Sequence, residues 1–342
     1  MELNLEHKQA AHCENGTVSA LLRYYGINLS EPMVFGLSSG LFFTHLPFVK
    51  LSGMPVTSFR TFPGVFFSRI TKLLGIRRKT KRFFNQEKAM SKLDELLKRG
   101  IPVGCVVGMY YLPYVPIEYR FHFNGHNICV IGKDEKSGDY TVLDSNITQK
   151  VTISSKDLQT VRFAKGGTYP LMGQMYWIEE VPKELPDMKL LILKSIRKTS
   201  KLMAYTPVHI VGAKGIIYLS KRIRKWEKKM GRRRALLNLA QIVRMLEEIG
   251  TGGAGFRFIY GAFLQEAAQK TGIEEFNAYS QRITEIGDMW RDFAYKISRM
   301  FKKRSTEENY TFDQLGDMLQ AIGEKELSFF KELYAVSKQY LR

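Results

Sequence analysis

Cysteine, histidine and aspartate occur in this chain in an order that suits nucleophilic catalysis. Cys13 lies in His12-Cys13-Glu14-Asn15-Gly16, ahead of a predicted helix over residues 17–25 whose apolar positions Val18, Leu21, Leu22 and Tyr25 repeat at i, i+3, i+4 and i+7. Asn15-Gly16 predicts a tight entry turn, and Tyr25-Gly26 the stop. A thiol at a helix N-terminus meets the positive end of the helix dipole, which favours thiolate. Taken alone, Cys13 reads as well as a small buried apolar residue, as most free cysteines are.

A nucleophilic cysteine needs a base, and the base needs an orienting group. Of the six histidines, His126 follows Asn124-Gly125 and opens the apolar run Asn127–Ile131, a position from which its ring would project beside a helix N-terminus. Asp144 closes the next run, Asp139–Leu143, and the polar segment Lys133–Gly138 between the two suits a hairpin turn. Paired strands lie about 4.8 Å apart, so Asp144 is placed to accept a hydrogen bond from His126. Separately, His126 reads as a structural histidine and Asp144 as a turn residue before Ser145-Asn146. The ordered set is what points to a site.

The elements that would position these groups are a helical start followed by an antiparallel sheet. Ser30 caps a short helix opening at Glu31-Pro32, proline suiting the first turn. The Gly- and Phe-rich stretch 34–48 reads as a buried loop or short strand. A helix over 86–98 carries Ala89, Leu93, Leu96 and Leu97 on one face and stops at Gly100. Strands follow at 101–108, 127–132, 139–144 and within 172–180. The two prolines of Val181–Pro186 predict a domain boundary. Beyond it, helical patterns cover about 190–204, 211–230, 233–249, 254–271, 273–302 and 311–340. The expected organisation is α+β: a catalytic domain over 1–183 and a helical domain over 187–342.

Composition narrows the setting. The 342 residues suffice for two domains, with 44% hydrophobic and 25% charged residues, ordinary for a globular chain. Three cysteines without a CxxC pair predict neither a disulfide framework nor a metal site. No signal-peptide core and no apolar run long enough for a membrane span is present, so a reducing, cytoplasmic location is expected. The formal charge of +19 calls for an acidic partner, an anionic membrane surface or nucleic acid, or in part simply for a solvated surface. Between Lys194 and Arg234, fourteen Lys or Arg stand against one acid, Glu227, and a second block runs Arg77-Arg78-Lys79, Lys81-Arg82.

The ordered Cys, Gly-His and Leu-Asp resemble the papain-like cysteine enzymes, in particular the peptidases that trim double-glycine leader peptides. A closer likeness is to the butirosin biosynthesis protein H family. His12-Cys13-Glu14, Leu22-Arg23-Tyr24-Tyr25-Gly26, Ser30-Glu31, Phe35–Gly40 and Gly125-His126-Asn127 resemble its N-terminal domain over residues 7–180. Gly250–Arg257, with Tyr260, Phe263, Leu264 and Glu266, resembles the helical domain of unknown function that follows it. The resemblance implies a papain-like domain and acyl transfer. An aminoacyl or acyl group would pass from the phosphopantetheine thioester of an acidic acyl carrier protein, through an acyl-Cys13, to an amine or hydroxyl of a small-molecule acceptor in specialised-metabolite biosynthesis. No bound cofactor is implied. His126 would act as base and then acid, Asp144 would orient it, and the Cys13 amide would form part of an oxyanion hole.

Leader peptidases place a glutamine six residues before the cysteine. Here that position is His7 and the nearest glutamine is Gln9, so Gln9, His7 or neither completes the hole. His12 and Glu14 flank the nucleophile as auxiliary groups, Glu14 equally as a helix cap. Gly252, Gly253 and Arg257 are candidates for substrate binding, in a loop that closes over the Cys13 cleft or binds an anion, or that is simply a tight turn between helices. It lacks the order of a nucleotide-binding P-loop. The basic block suits a carrier protein, or equally lipid headgroups, since Lys221–Arg234 with Ile223, Trp226 and Met230 reads as a basic amphipathic helix. Nucleic acid ranks third, with no recognised motif beside the charge. A papain-like peptidase or amidase is the alternative activity, and a non-catalytic basic membrane-surface or scaffold protein the alternative class.

Overall fold

Residues 2–51, 53–166, 170–302 and 310–341 are described in a computed structural model. The chain divides into one unit of Met1–Val34 with Pro63–Pro186 and another of Phe35–Phe62 with Asp187–Arg342. The stretch 35–62 therefore groups with the C-terminal helices rather than with the rest of residues 1–183.

In the first unit, α1 (Cys13–Tyr24), the start of α2 (Glu31–Leu37), α3 (Phe66–Leu73), α4 (Gln86–Lys98) and α5 (Ser155–Arg162) accompany an antiparallel sheet. Its strands are β3 (Arg77–Lys81), β4 (Val103–Gly108), β5 (Asn124–Lys133), β6 (Tyr140–Leu143), β7 (Val151–Ile153) and β8 (Met175–Glu180), in the order β3-β8-β4-β5-β6-β7. The predicted 86–98 helix and the β5–β6 hairpin are present, and Ser30 caps α2 by accepting from the Met33 amide at 3.1 Å. Four elements went unpredicted: α3, β3, β7 and α5. The basic run at Arg77 is also more than a charge block, because it forms the edge strand β3, where exposed lysine and arginine discourage pairing with another chain.

Alternation along the strands gives the sheet two apolar faces. Val103, Cys105, Val107, Ile128, Val130, Val142 and Met175 join Ala89, Leu93, Leu96 and Leu97 of α4 and Leu158 and Val161 of α5 in one core. Gly104, Cys129 and Tyr176 sit on the alternate positions, where Phe67 of α3 meets the Tyr176 ring at 4.6 Å and Arg23 of α1 lies within charge range of Cys129. Gly104 is required there: a Cβ on it would stand 2.2 Å from the Tyr176 ring.

The second unit opens with a hairpin of β1 (Leu41–Leu51) and β2 (Met54–Arg60), where the sequence predicted only a loop or short strand. Its helices are α6 (Met188–Ala204), α7 (Gly212–Ile223), α8 (Trp226–Met230), α9 (Arg232–Val243), α10 (Arg257–Thr271), α11 (Glu275–Lys302) and α12 (Phe312–Gln339). The predicted single helix over 211–230 is two, broken at Arg224-Lys225 and stopped at Gly231, whose φ of +79° ends α8. The predicted 233–249 helix loosens into a π-helical turn at Arg244–Glu248. Among the described residues, no helix is long and apolar enough to cross a membrane, and no group of three or more His, Cys, Asp or Glu is placed to hold a metal ion.

Candidate active site

Cys13 is the first residue of α1 itself, so the helix begins four residues earlier than its apolar repeat indicated. His12 caps it: its backbone is extended, and its ring Nδ1 accepts from the Asn15 amide at 3.4 Å. The first intrahelical bond runs from the Gly16 amide to the His12 carbonyl at 2.9 Å, and helix geometry leaves the Cys13 amide without an intrahelical acceptor. Gly16 is thus helical rather than part of an entry turn. Its role is close approach, since a Cβ there would meet Ser145 Cβ at 2.7 Å and Ala10 Cβ at 2.8 Å. A bare backbone at Gly16 lets α1 rest directly on the residue that follows Asp144.

Two carboxylates fix the entry to α1. Glu31, at the start of α2, accepts from the amides of Ala11 at 2.9 Å and His12 at 2.7 Å. Glu14 points the other way, accepting from Gly64 and Phe66 amides at 3.1 Å each. It is therefore a cap, as one reading of the sequence had it, although for α3 rather than for its own helix. A carboxylate at that helix N-terminus is favoured by the dipole as well as by the hydrogen bonds. The His12 ring packs edge-on against Phe66 at 5.6 Å.

His126 and Asp144 meet as the hairpin predicts: His126 Nε2 lies 2.7 Å from Asp144 Oδ2, with both side chains almost fully buried. Burial opposes the charged ring. The Asp144 carboxylate and the Cys13 side chain, each through charge and hydrogen bonding, outweigh it and hold His126 well above its ordinary pKa. With Nε2 committed to Asp144, Nδ1 is the nitrogen left for the thiol. Burial would likewise raise Asp144, but His126, the Asn146 amide and Tyr114 bring it below the usual carboxylate value. The Asn146 amide donates to Oδ1 at 3.0 Å and the Tyr114 hydroxyl to Oδ2 at 3.0 Å. Burial, with the adjacent Asp144 charge, pushes the Tyr114 phenol far up, so it stays a donor.

A second network fixes the backbone beneath His126. The Tyr176 hydroxyl donates to Asn127 Oδ1 at 2.8 Å, and Asn127 Nδ2 donates to the Gly125 carbonyl at 3.0 Å. The three cysteines differ: Cys105 and Cys129 are fully buried, and burial pushes both thiols up, whereas Cys13 is partly exposed. A cavity of about 410 Å³ opens at the Asn124 end of β5, two residues before His126, lined mainly by Phe83, Phe84, Phe163, Leu171 and Met172.

Other expected site residues lie elsewhere. His7 holds the Ile147 carbonyl through Nε2 at 2.7 Å, and Gln9 is exposed. Arg257, expected to bind substrate, is fully buried: its guanidinium grips Glu326 through Nε at 2.9 Å and Nη2 at 2.9 Å, and Nη1 donates to the Gly255 carbonyl at 2.8 Å. Buried with its counter-ion, the guanidinium is spent on holding the unit together. The Gly250–Phe256 loop uses its own polar groups likewise. Gly253 donates its amide to Thr251 Oγ1 at 3.1 Å, and the Ala254 amide donates to Glu247 Oε1 at 3.1 Å. Positive φ at Gly250, Gly252, Gly253, Ala254, Gly255 and Phe256 makes it a tight connection between the π-helical turn and α10.

Tyr114, Glu31 and the Tyr176–Asn127 pair were missed as site residues. Glu31 carried a signal in Ser30-Glu31 and Asn127 in Gly125-His126-Asn127; Tyr114 and Tyr176 carried none.

The fold and site define an α+β protein with a cysteine at a helix start beside a buried His–Asp pair. Residues 12–145 match the model of butirosin biosynthesis protein H, N-terminal, and residues 156–333 match that of a domain of unknown function, DUF4872. The chain belongs to the butirosin biosynthesis protein H family. A comparison with curated proteins finds no match.

Proposed function

We propose that the protein is a cysteine-dependent acyltransferase. One observation supports the reading: the Asp144 carboxylate, 2.7 Å from His126 Nε2, and the Cys13 side chain both raise the pKa of the same buried imidazole. In the forward half-reaction the Cys13 proton passes to His126 Nδ1 and the thiolate attacks the thioester carbonyl. The Cys13 amide stabilises the oxyanion. The C–S bond to the carrier breaks, and His126 returns its proton to the departing thiol. In the second half-reaction His126 takes a proton from an acceptor amine or hydroxyl, which attacks the acyl-Cys13. The new amide or ester leaves, and the proton goes back to Cys13.

The family's name, butirosin biosynthesis protein H, supports a place in antibiotic biosynthesis. A carrier-protein thioester is the donor that such chemistry calls for. Water in place of the amine would make the same relay a peptidase or amidase. Incubating the protein with an acyl thioester, with and without a small polyamine acceptor, separates them. Transfer predicts an amide product that appears only with the acceptor. Free acid formed at the same rate in both reactions contradicts transfer.

A further inference from the structure

The second unit holds most of the excess charge. Over residues 35–62 and 187–342 there are 31 Lys and Arg against 17 Asp and Glu, a surplus of 14 within the chain's +19. Its polar half suits an anionic surface, but the amphipathic helix expected at Lys221–Arg234 does not exist as one. Ile223 and Trp226, its apolar face, are 0% and 3% exposed inside the unit. The exposed apolar groups come instead from the tip of the β1–β2 hairpin, where Phe48 is 72% exposed, Val49 39% and Leu51 41%, with Lys50 between them.

That tip is tied to the basic helices. Three residues before Phe48, His45 donates its amide to the Ile210 carbonyl at 3.0 Å, and its ring stands 6.5 Å from Tyr218 and 6.1 Å from Trp226. The Arg222 guanidinium lies 5.8 Å from the Tyr218 ring. Three strand residues span only about 10 Å. The apolar tip and the exposed Lys221, Lys225, Lys228, Lys229, Arg233 and Arg234 therefore share one neighbourhood.

We infer that this part of the second unit docks on an anionic lipid bilayer. Phe48, Val49 and Leu51 enter the headgroup–acyl boundary, and the basic side chains of α7, α8 and α9 lie against the lipid phosphates. An acidic protein or a nucleic acid would satisfy the charge; a bilayer satisfies it and also takes bulky apolar side chains at a hairpin tip out of water without needing a matching pocket. Each Lys or Arg near such a surface raises affinity by about fivefold, an effect that falls off within a Debye length.

The test is flotation of the full chain with vesicles of phosphatidylcholine alone, or with about a quarter phosphatidylglycerol, at about 0.1 M salt, where the Debye length is about 10 Å. Binding is expected on the anionic vesicles and at least about tenfold less on the neutral ones, the ratio that a few such basic contacts give. The F48W variant should blue-shift on anionic vesicles and be quenched by brominated acyl chains. F48S/L51S, confirmed folded by circular dichroism, should weaken binding. No preference for anionic vesicles overturns the proposal. So does salt-sensitive binding that F48S/L51S leaves unchanged and that gives no quenching in F48W, the behaviour of a surface for an acidic protein or nucleic acid. The readout involves no thioester, so its failure leaves the acyl-transfer reading standing, and the reverse.

Discussion

Gly16 and Ser145 touch: a Cβ on Gly16 would stand 2.7 Å from that of Ser145, the residue next to Asp144. The helix that begins at Cys13 and the strand end that leads into Asp144 are thus spaced by the absence of one methyl group. Gly16→Ala must push α1 off the Asp144 turn, and overpacking of this kind costs about 1–3 kcal/mol. The expected result is a lowered melting temperature together with a disproportionate loss of Cys13 acylation. Alanine has the better helix propensity, so a variant more stable than wild type with full acylation would show that the contact does not set the geometry.

The His126–Asp144 pair predicts a definite pH window. His126 is raised in the folded protein, so its contribution to stability is complete below its unfolded pKa of about 6.5 and is lost as pH rises through the folded value. Asp144 is lowered, so its contribution is complete above its unfolded pKa of about 3.9 and is lost as pH falls through the folded value. The excess stability of wild type over Asp144→Asn should therefore be greatest between about pH 4 and 6.5. Melting curves across pH read it directly.

Cys13 is itself one of the groups that hold His126 up. In Cys13→Ala the imidazole midpoint, followed by NMR of the ring protons, should fall, and in Asp144→Asn it should fall further. An unchanged midpoint in Cys13→Ala would mean that the thiol and the ring do not interact in solution.

Tyr114 donates to Asp144, so in the proposed mechanism it is a positioning residue. Tyr114→Phe removes one of the hydrogen bonds that lower the carboxylate, so the acid limb of the acylation rate should move to higher pH. The rate itself should fall about tenfold, the equivalent of about 1.4 kcal/mol. A merely structural tyrosine would leave the acid limb where it was.

That Cys13 would open a helix and that His126 and Asp144 would meet was legible because each sits near the end of an element that the sequence marks, and a short polar turn joins the two strands. Tyr114 was not legible, since it lies in a loop that the sequence does not mark, and Glu31 stood out only as part of a motif, since its bonds to Ala11 and His12 depend on how the helices pack. Arg257 misled for a related reason. A basic residue after a glycine-rich loop suggests an exposed anion site, while the acid that buries it, Glu326, is 69 residues on. The helix through Lys221–Arg234 failed on backbone grounds: the periodic pattern runs through Arg224-Lys225, but the chain turns there and again at Gly231, so the apolar face closes inward.

The Arg257–Glu326 pair, which also accepts from Trp290 Nε1 at 2.7 Å, should be a stability element. Glu326→Ala leaves a buried guanidinium without its counter-ion and an indole N–H without its acceptor, and should cost about 3–5 kcal/mol, read as a lowered urea midpoint. A midpoint within error of wild type would contradict the burial of the pair.

The central claim is that Cys13 carries the acyl group, and intact-protein mass spectrometry after exposure to acyl-pantetheine thioesters tests it most directly. The account predicts a mass increment of one acyl group in wild type, mapped by peptide analysis to Cys13, reduced in His126→Ala and absent in Cys13→Ala. No adduct across a panel of acyl groups, or an adduct of equal yield in Cys13→Ala, would contradict it.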